Sequence, residues 1–137
     1  MKGTVYLLVI PILLVLALVP AMAEGQRTVT ARVDADGVQR VPVAAGSYFY
    51  DPSHIIVKAN TKVELTVMKE GGLTPHDIQM KSPEAGMEFS EGLSSTPKVI
   101  SFTPTKPGTY PFFCGKKPPL GKSHRERGME GIIEVVP

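Results

Sequence analysis

The sequence predicts an all-β protein: a Greek-key antiparallel β-sandwich of about seven or eight short strands, preceded by an export leader. Three observations point there. Thirteen prolines and thirteen glycines in 137 residues interrupt the chain too often for long helices. Val63, Leu65 and Val67 alternate with Lys62, Glu64 and Thr66, the period-two pattern of a half-buried strand. Short apolar runs and turn signals alternate along the chain at the spacing of an antiparallel sandwich, with no fixed repeat.

The chain opens with Lys2, an apolar run from Val5 to Val19, and Ala21-Met22-Ala23, the small-x-small pattern cut by signal peptidase. Residues 1–23 therefore read as a signal peptide and 24–137 as one domain. The uncharged stretch from Gly3 to Ala23 is also just long enough to span a bilayer. Without cleavage it would anchor the domain to a membrane.

Thr28 to Val33 and Val38 to Val43 read as a first hairpin, with Asp36-Gly37 supplying the positive φ of its turn. Ala45 to Pro52 reads as a crossing loop whose aromatic residues cap the core. Ile55 to Val57 forms a short strand, Lys58 to Thr61 a turn, and Val63 to Val67 the next strand. Glu70-Gly71-Gly72-Leu73-Thr74-Pro75 is a flexible connection delivering His76, after which Asp77 to Met80 resumes pairing. Ser82-Pro83-Glu84 carries the signature of a helix start of one or two turns. Lys98 to Thr103, Thr109 to Cys114 and Ile132 to Val136 complete the strands.

Removing the leader leaves basic and acidic side chains nearly equal, so net charge gives no argument for nucleic acid or an anionic membrane. No Ser-His-Asp set, paired carboxylates, phosphate loop or zinc spacing is present, and a non-enzymatic role is expected. One cysteine in an exported chain cannot form an internal disulfide; it is a buried small residue, a free thiol or a ligand.

Cys114 lies in Tyr110-Pro-Phe-Phe-Cys114, where period two puts the thiol on the face of Tyr110 and Phe112. Beyond it come His124 and Met129. Thiolate, imidazole and thioether are the donors that suit copper, and His76 is the candidate for a second imidazole. Nine residues separate Cys114 from His124. Relative to a two-residue spacer, closing that loop costs about 1.3 kcal/mol, which metal binding on the order of 10 kcal/mol can absorb.

Tyr110-Pro-Phe-Phe-Cys114 followed by His124-Arg-Glu-Arg-Gly-Met129-Glu-Gly-Ile-Ile-Glu-Val resembles the ligand loop and last strand of plastocyanin- and pseudoazurin-like cupredoxins, the type 1 blue copper proteins. Ile55 to Lys58, Val63 to Leu65 and Thr74-Pro-His76-Asp77 are similar to the family's upstream pattern, so the resemblance spans about residues 48 to 136. It implies one copper ion cycling between Cu(II) and Cu(I), with His76, Cys114 and His124 as equatorial ligands and Met129 as a weak axial one. Asp77 would support the site from behind. The segment Gly115 to Ser123 departs from the family, in which this loop is short. Met80, Glu126 and Glu130 stand as alternative donors near the axial position, while His54 falls outside the matched positions and reads as a surface histidine.

The function implied is an exported, periplasmic electron carrier, monomeric, with a redox partner protein. Lys116, Lys117, Lys122, Arg125 and Arg127 lie within twelve residues, opposed by Glu126 alone. Flanking an exposed edge of His124, they would form a basic rim for an acidic partner; otherwise they are a solvated loop. The alternatives are a copper-handling protein that holds Cu(I) and passes it on, and a metal-free interaction module.

Overall fold

The computed structural model describes residues 27–137. The leader and its cleavage signal lie outside them. Ten strands run as β1 (Thr28–Thr30), β2 (Gln39–Gly46), β3 (Phe49–Asp51), β4 (His54–Lys58), β5 (Val63–Lys69), β6 (His76–Ser82), β7 (Met87–Leu93), β8 (Lys98–Phe102), β9 (Gly108–Phe113) and β10 (Glu130–Val136). They form two sheets, ordered β1-β4-β10-β9-β6-β7 and β3-β2-β5-β8. The sandwich is as anticipated, with more strands than seven or eight and with mixed pairing: β1–β4, β4–β10 and β2–β5 are parallel, the remaining pairs antiparallel.

Alternation explains the layers. Val41, Val43, Val63, Leu65 and Val67 point inward from the smaller sheet and meet Ile55, Val57, Ile78, Met80, Phe112, Ile133 and Val135 from the larger. Each such side chain contributes about 1.5–3 kcal/mol by leaving water.

The expected first hairpin is corrected. Its turn is present, with Gly37 at φ 79° and its N–H bonded to the Asp34 carbonyl at 2.9 Å. The two arms, however, pair only at the isolated bridge Val33–Gln39, because β1 joins β4 in one sheet while β2 joins β5 in the other. Local turn chemistry was right and the strand partner was decided by the core. The aromatic stretch after Ala45 is likewise not a loop: β2 runs to Gly46, and Phe49–Asp51 folds back on it as β3, burying Tyr50 completely. The residues after Ser82 make one 3-10 turn, Pro83–Ala85, closed by Gly86 in the left-handed region.

Register places the decisive ends together. β9 runs antiparallel to both β10 and β6, pairing Phe113 with Glu130 on one side and Gln79 on the other. The end of β9, the start of β6 and the start of β10 therefore share one end of the sandwich.

Candidate metal centre

His76 is the first residue of β6, and Cys114 follows the last residue of β9. Phe112, two residues before Cys114, is fully buried with its ring 5.1 Å from that of Tyr50, so the thiol enters the core on the aromatic face the alternation anticipated. Cys114 has no exposed surface; His76 and His124 are 4% and 5% exposed.

Chain topology brings three of the four anticipated donors together. One ligand atom from each of His76, Cys114 and His124 lies within 4.8 Å of the others. The Nδ1 atoms of the two imidazoles are 3.1 Å apart, and His124 Nδ1 is 3.5 Å from Cys114 Sγ. With both rings neutral, one Nδ1–H donates to the other. Met129, the fourth, is completely buried; its N–H donates to the His124 carbonyl and its own carbonyl accepts from the Cys114 N–H, both at 3.0 Å.

His54 stays apart, as the sequence suggested: Nε2 is 2.8 Å from Glu134 on β10 and Nδ1 is 3.4 Å from the Thr28 hydroxyl. Met80 and Met87 are core residues, and Met68 is exposed. Glu126 accepts from the N–H and hydroxyl of Ser123, and Glu130 from Arg125, so both carboxylates are engaged elsewhere and neither is in the cluster.

Asp77 ties the two sides of the site. Its N–H donates to Cys114 Sγ at 3.5 Å, and its carbonyl accepts the Tyr50 hydroxyl at 2.5 Å. Its carboxylate accepts the Gly115 N–H at 2.6 Å and the Gln79 amide at 3.1 Å, with Lys116 Nζ at 3.9 Å. A Cβ at residue 115 would stand 2.2 Å from the Gln79 amide nitrogen, so that side chain would have to move from its bond to Asp77.

The ten-residue step from Cys114 to His124 is shortened by a neck. The His124 N–H donates to the Lys116 carbonyl at 2.9 Å, so the residues between 116 and 124 bulge outward while both ends stay at the site. After His124, Arg125–Arg127 make a 3-10 turn ended by Gly128 at φ 96°, which returns the chain to Met129 and β10.

Burial biases the protonation states of the donors. Burial pushes the Cys114 thiol up, against the opposing N–H groups of Asp77 and Lys116. Burial also lowers His76, helped by the charges of His124 and Lys69, and lowers His124, helped by Arg127. The Tyr50 hydroxyl is raised by burial and by the nearby acidic groups of Cys114 and Asp77.

The donor set fits copper. A metal bound to imidazole nitrogen at about 2.0–2.1 Å and thiolate at about 2.3 Å holds those donors about 3–4 Å apart, and the two separations from His124 Nδ1, 3.1 Å to His76 and 3.5 Å to Cys114, fall in that range. Two imidazoles and one thiolate beside a thioether-bearing residue are the blue-copper combination.

A profile of the cupredoxin-like domain matches residues 7–123. The chain belongs to this family. The matched span ends at Ser123, so His124 and Met129 lie beyond it. Among solved structures, the chain is similar to the Cu(I)-bound metal-binding domain of the Cu(I)-exporting P-type ATPase of Streptococcus pneumoniae, with 23% identity over 82% of this chain and 98% of that one and a TM-score of 0.63. It is similar also to dithionite-reduced auracyanin of Roseiflexus castenholzii, with 20% identity over 72% and 97% of the two chains and a TM-score of 0.58. A copper-binding protein solved in its apo form matches at 20% identity over 82% and 100%, with a TM-score of 0.60. At these identities the likeness shows the fold. No curated protein matches the chain. Family, fold and the His/Cys/His cluster together support copper binding.

The contacts that sequence reasoning missed are those of Tyr48. Its ring stands edge-on to His124, with centroids 5.0 Å apart, and to His76 at 6.2 Å. The one signal in the sequence was aromatic density between Tyr48 and Tyr50, which carries no information about partners 28 and 76 residues away. His124, for which an exposed edge was anticipated, keeps 5% of its surface beside this tyrosine.

Proposed function

We propose that the chain is an exported mononuclear copper protein that transfers single electrons between redox partners, with His76, Cys114, His124 and Met129 holding the metal. The observation that carries this reading is the convergence of two imidazole Nδ1 atoms and one buried thiol at the end of a sandwich. Copper bound there would supply the one-electron Cu(II)/Cu(I) couple. The protein's part is to hold the donors in one arrangement: β6 and β9 fix His76 and Cys114, the neck and the following turn fix His124, and Asp77 locks the thiol side. Phe112, Tyr50 and Met129 exclude water, and low solvent access around sulfur is one of the means by which a copper site's potential is tuned. In this reading the protein acts without chemistry on a substrate.

The partner in this reading is an acidic redox protein docking over the Lys116–Arg127 segment near His124. Lys116, Lys117, Lys122, Arg125 and Arg127 are all exposed, and the association would weaken steeply with salt. The carrier acts as a monomer outside the cytoplasm, where the leader would send it.

A second reading is copper handling, in which the same soft donors hold Cu(I) for delivery. The burial of the thiol and the similarity of fold to a Cu(I)-bound metal-binding domain favour it. Titrating the purified protein with Cu(II) and recording its visible spectrum separates the two. An intense thiolate-to-copper band that bleaches reversibly on reduction is expected of the carrier. A colourless Cu(I) complex that Cu(II) cannot replace would favour handling, and failure to bind either ion would sink both.

A further inference from the structure

Cys114 and Met129 have no exposed surface and His76 and His124 are only 4% and 5% exposed, yet a metal ion must reach them. We infer that Tyr48 is the door of the site: its side chain, latched by Arg127, closes over His76 and His124, and its displacement is the step that admits the metal ion.

Tyr48 lies in the two-residue link, Ser47–Tyr48, between β2 and β3. It is half-buried, with its ring against both imidazoles and against Arg127. The guanidinium carbon of Arg127 stands 4.8 Å from the Tyr48 ring centre, and Nη1 donates to the phenol oxygen at 3.2 Å. A second bond, from Arg127 Nε to the Lys122 carbonyl at 3.4 Å, ties the latch to the outward bulge before His124. Arg127 itself is exposed, so the latch is made at the surface, where such contacts exchange easily with water.

Tyr48 has φ 69°, the left-handed conformation that a two-residue hairpin link calls for, and the Gly46–Phe49 pair of β2 and β3 closes that link. The strands hold the backbone, so what the latch holds is the ring, and releasing Arg127 leaves the side chain free to swing. The other groups against the cluster lack this freedom. Asp77 is engaged through its N–H, carbonyl and carboxylate, Phe112 and Met129 are fully buried, and His76 begins a strand paired in register with β7.

This inference rests on the copper reading only for the identity of what enters, and its main test needs no metal. The probe is iodoacetamide, and the readout is the alkylation rate of Cys114 in the metal-free protein by mass spectrometry. Arg127→Ala is expected to raise the rate about two- to fivefold, the loss of one exposed cation–π contact. Tyr48→Ala should raise it further, and Tyr48→Phe, which keeps the ring, should stay closest to the parent. Alkylation of the parent should change little across low urea, as for local opening, rather than rise in step with global unfolding. With Cu(II) added, the uptake rate should follow the same order of variants. An unchanged alkylation rate in Tyr48→Ala, or a parent rate that follows global unfolding, overturns the assignment. Absence of copper binding with the alkylation order intact would overturn the copper reading and leave the door standing.

Discussion

The candidate metal centre has two halves built on different principles. His76 and Cys114 belong to strands: one starts β6, the other follows β9, and both strands are hydrogen-bonded on two sides within the larger sheet. His124 and Met129 belong to a connection, and among the described backbone bonds they are placed by four, His124 to Lys116, Arg127 to His124, Met129 to His124 and Cys114 to Met129. The strand-borne half is positioned by the same burial that stabilises the fold. The loop-borne half depends on a neck at its base, which is why nine intervening residues do not separate its histidine from the thiol. Length in the loop and distance at the site are decoupled.

The largest effects should come from removing donors on either half. Cys114→Ala, His76→Ala and His124→Ala should each abolish a coloured copper complex, while His54→Ala leaves it intact; visible spectra of the copper-loaded variants check this. Equal losses would show that the two halves are functionally one site. A coloured complex that survives in His76→Ala and disappears in His54→Ala would break the ligand assignment.

Phe112→Ala should cost about 3–5 kcal/mol of stability, because it empties a fully buried aromatic position between the sheets. Chemical denaturation measures it. A cost below ~1 kcal/mol would mean that the strand-borne half is not held by the core.

Asp77→Ala removes the acceptor of the Gly115 N–H and of the Gln79 amide, and should cost about 1–3 kcal/mol. Asp77→Asn keeps one carbonyl acceptor and should lose less. Similar losses for the two would place the role of Asp77 in its backbone contacts to Cys114 and Tyr50 instead.

For the metal-free protein, the lowered His76 and His124 bind protons more weakly folded than unfolded, so stability falls as pH drops below their ordinary value of 6.5. The raised Cys114 thiol works at the other end. Its unfolded form ionises near 9.0 while the folded form stays protonated, so stability also falls as pH rises above that value. Denaturation midpoints across pH should show a plateau between the two, and a midpoint rising below pH 6.5 would contradict the burial of the imidazoles.

The smallest effect is expected from shortening the bulge. Deleting Pro118–Gly121 leaves Lys116 and His124 four residues apart, still able to make their backbone bond, and should change stability by less than about 1 kcal/mol since loop entropy varies slowly with length. Loss of the coloured complex in this deletion would show that the bulge itself shapes the site.

Much of this was legible in the residues. Alternation at Val63–Val67 and around Phe112 foretold both strands and faces, because a two-residue period is a local property of the backbone. The pairing of His76, Cys114 and His124 was legible through family spacing and ligand chemistry, and these three are the residues that converge. The partner of β1, the strand at Met87–Leu93, the extra strand at Phe49–Asp51, the neck at Lys116 and the cover at Tyr48 were not. Each depends on which segments meet across the sandwich, and residues far apart in sequence leave no periodic trace of their contact. The sequence by itself determined the fold class, the donor types and their order along the chain, since period, turn residues and side-chain chemistry are local. Only the tertiary structure decided that the long loop closes at its base and that the second imidazole lies buried beneath a tyrosine, because hydrogen bonds and burial between distant segments exist only once the sheets have packed.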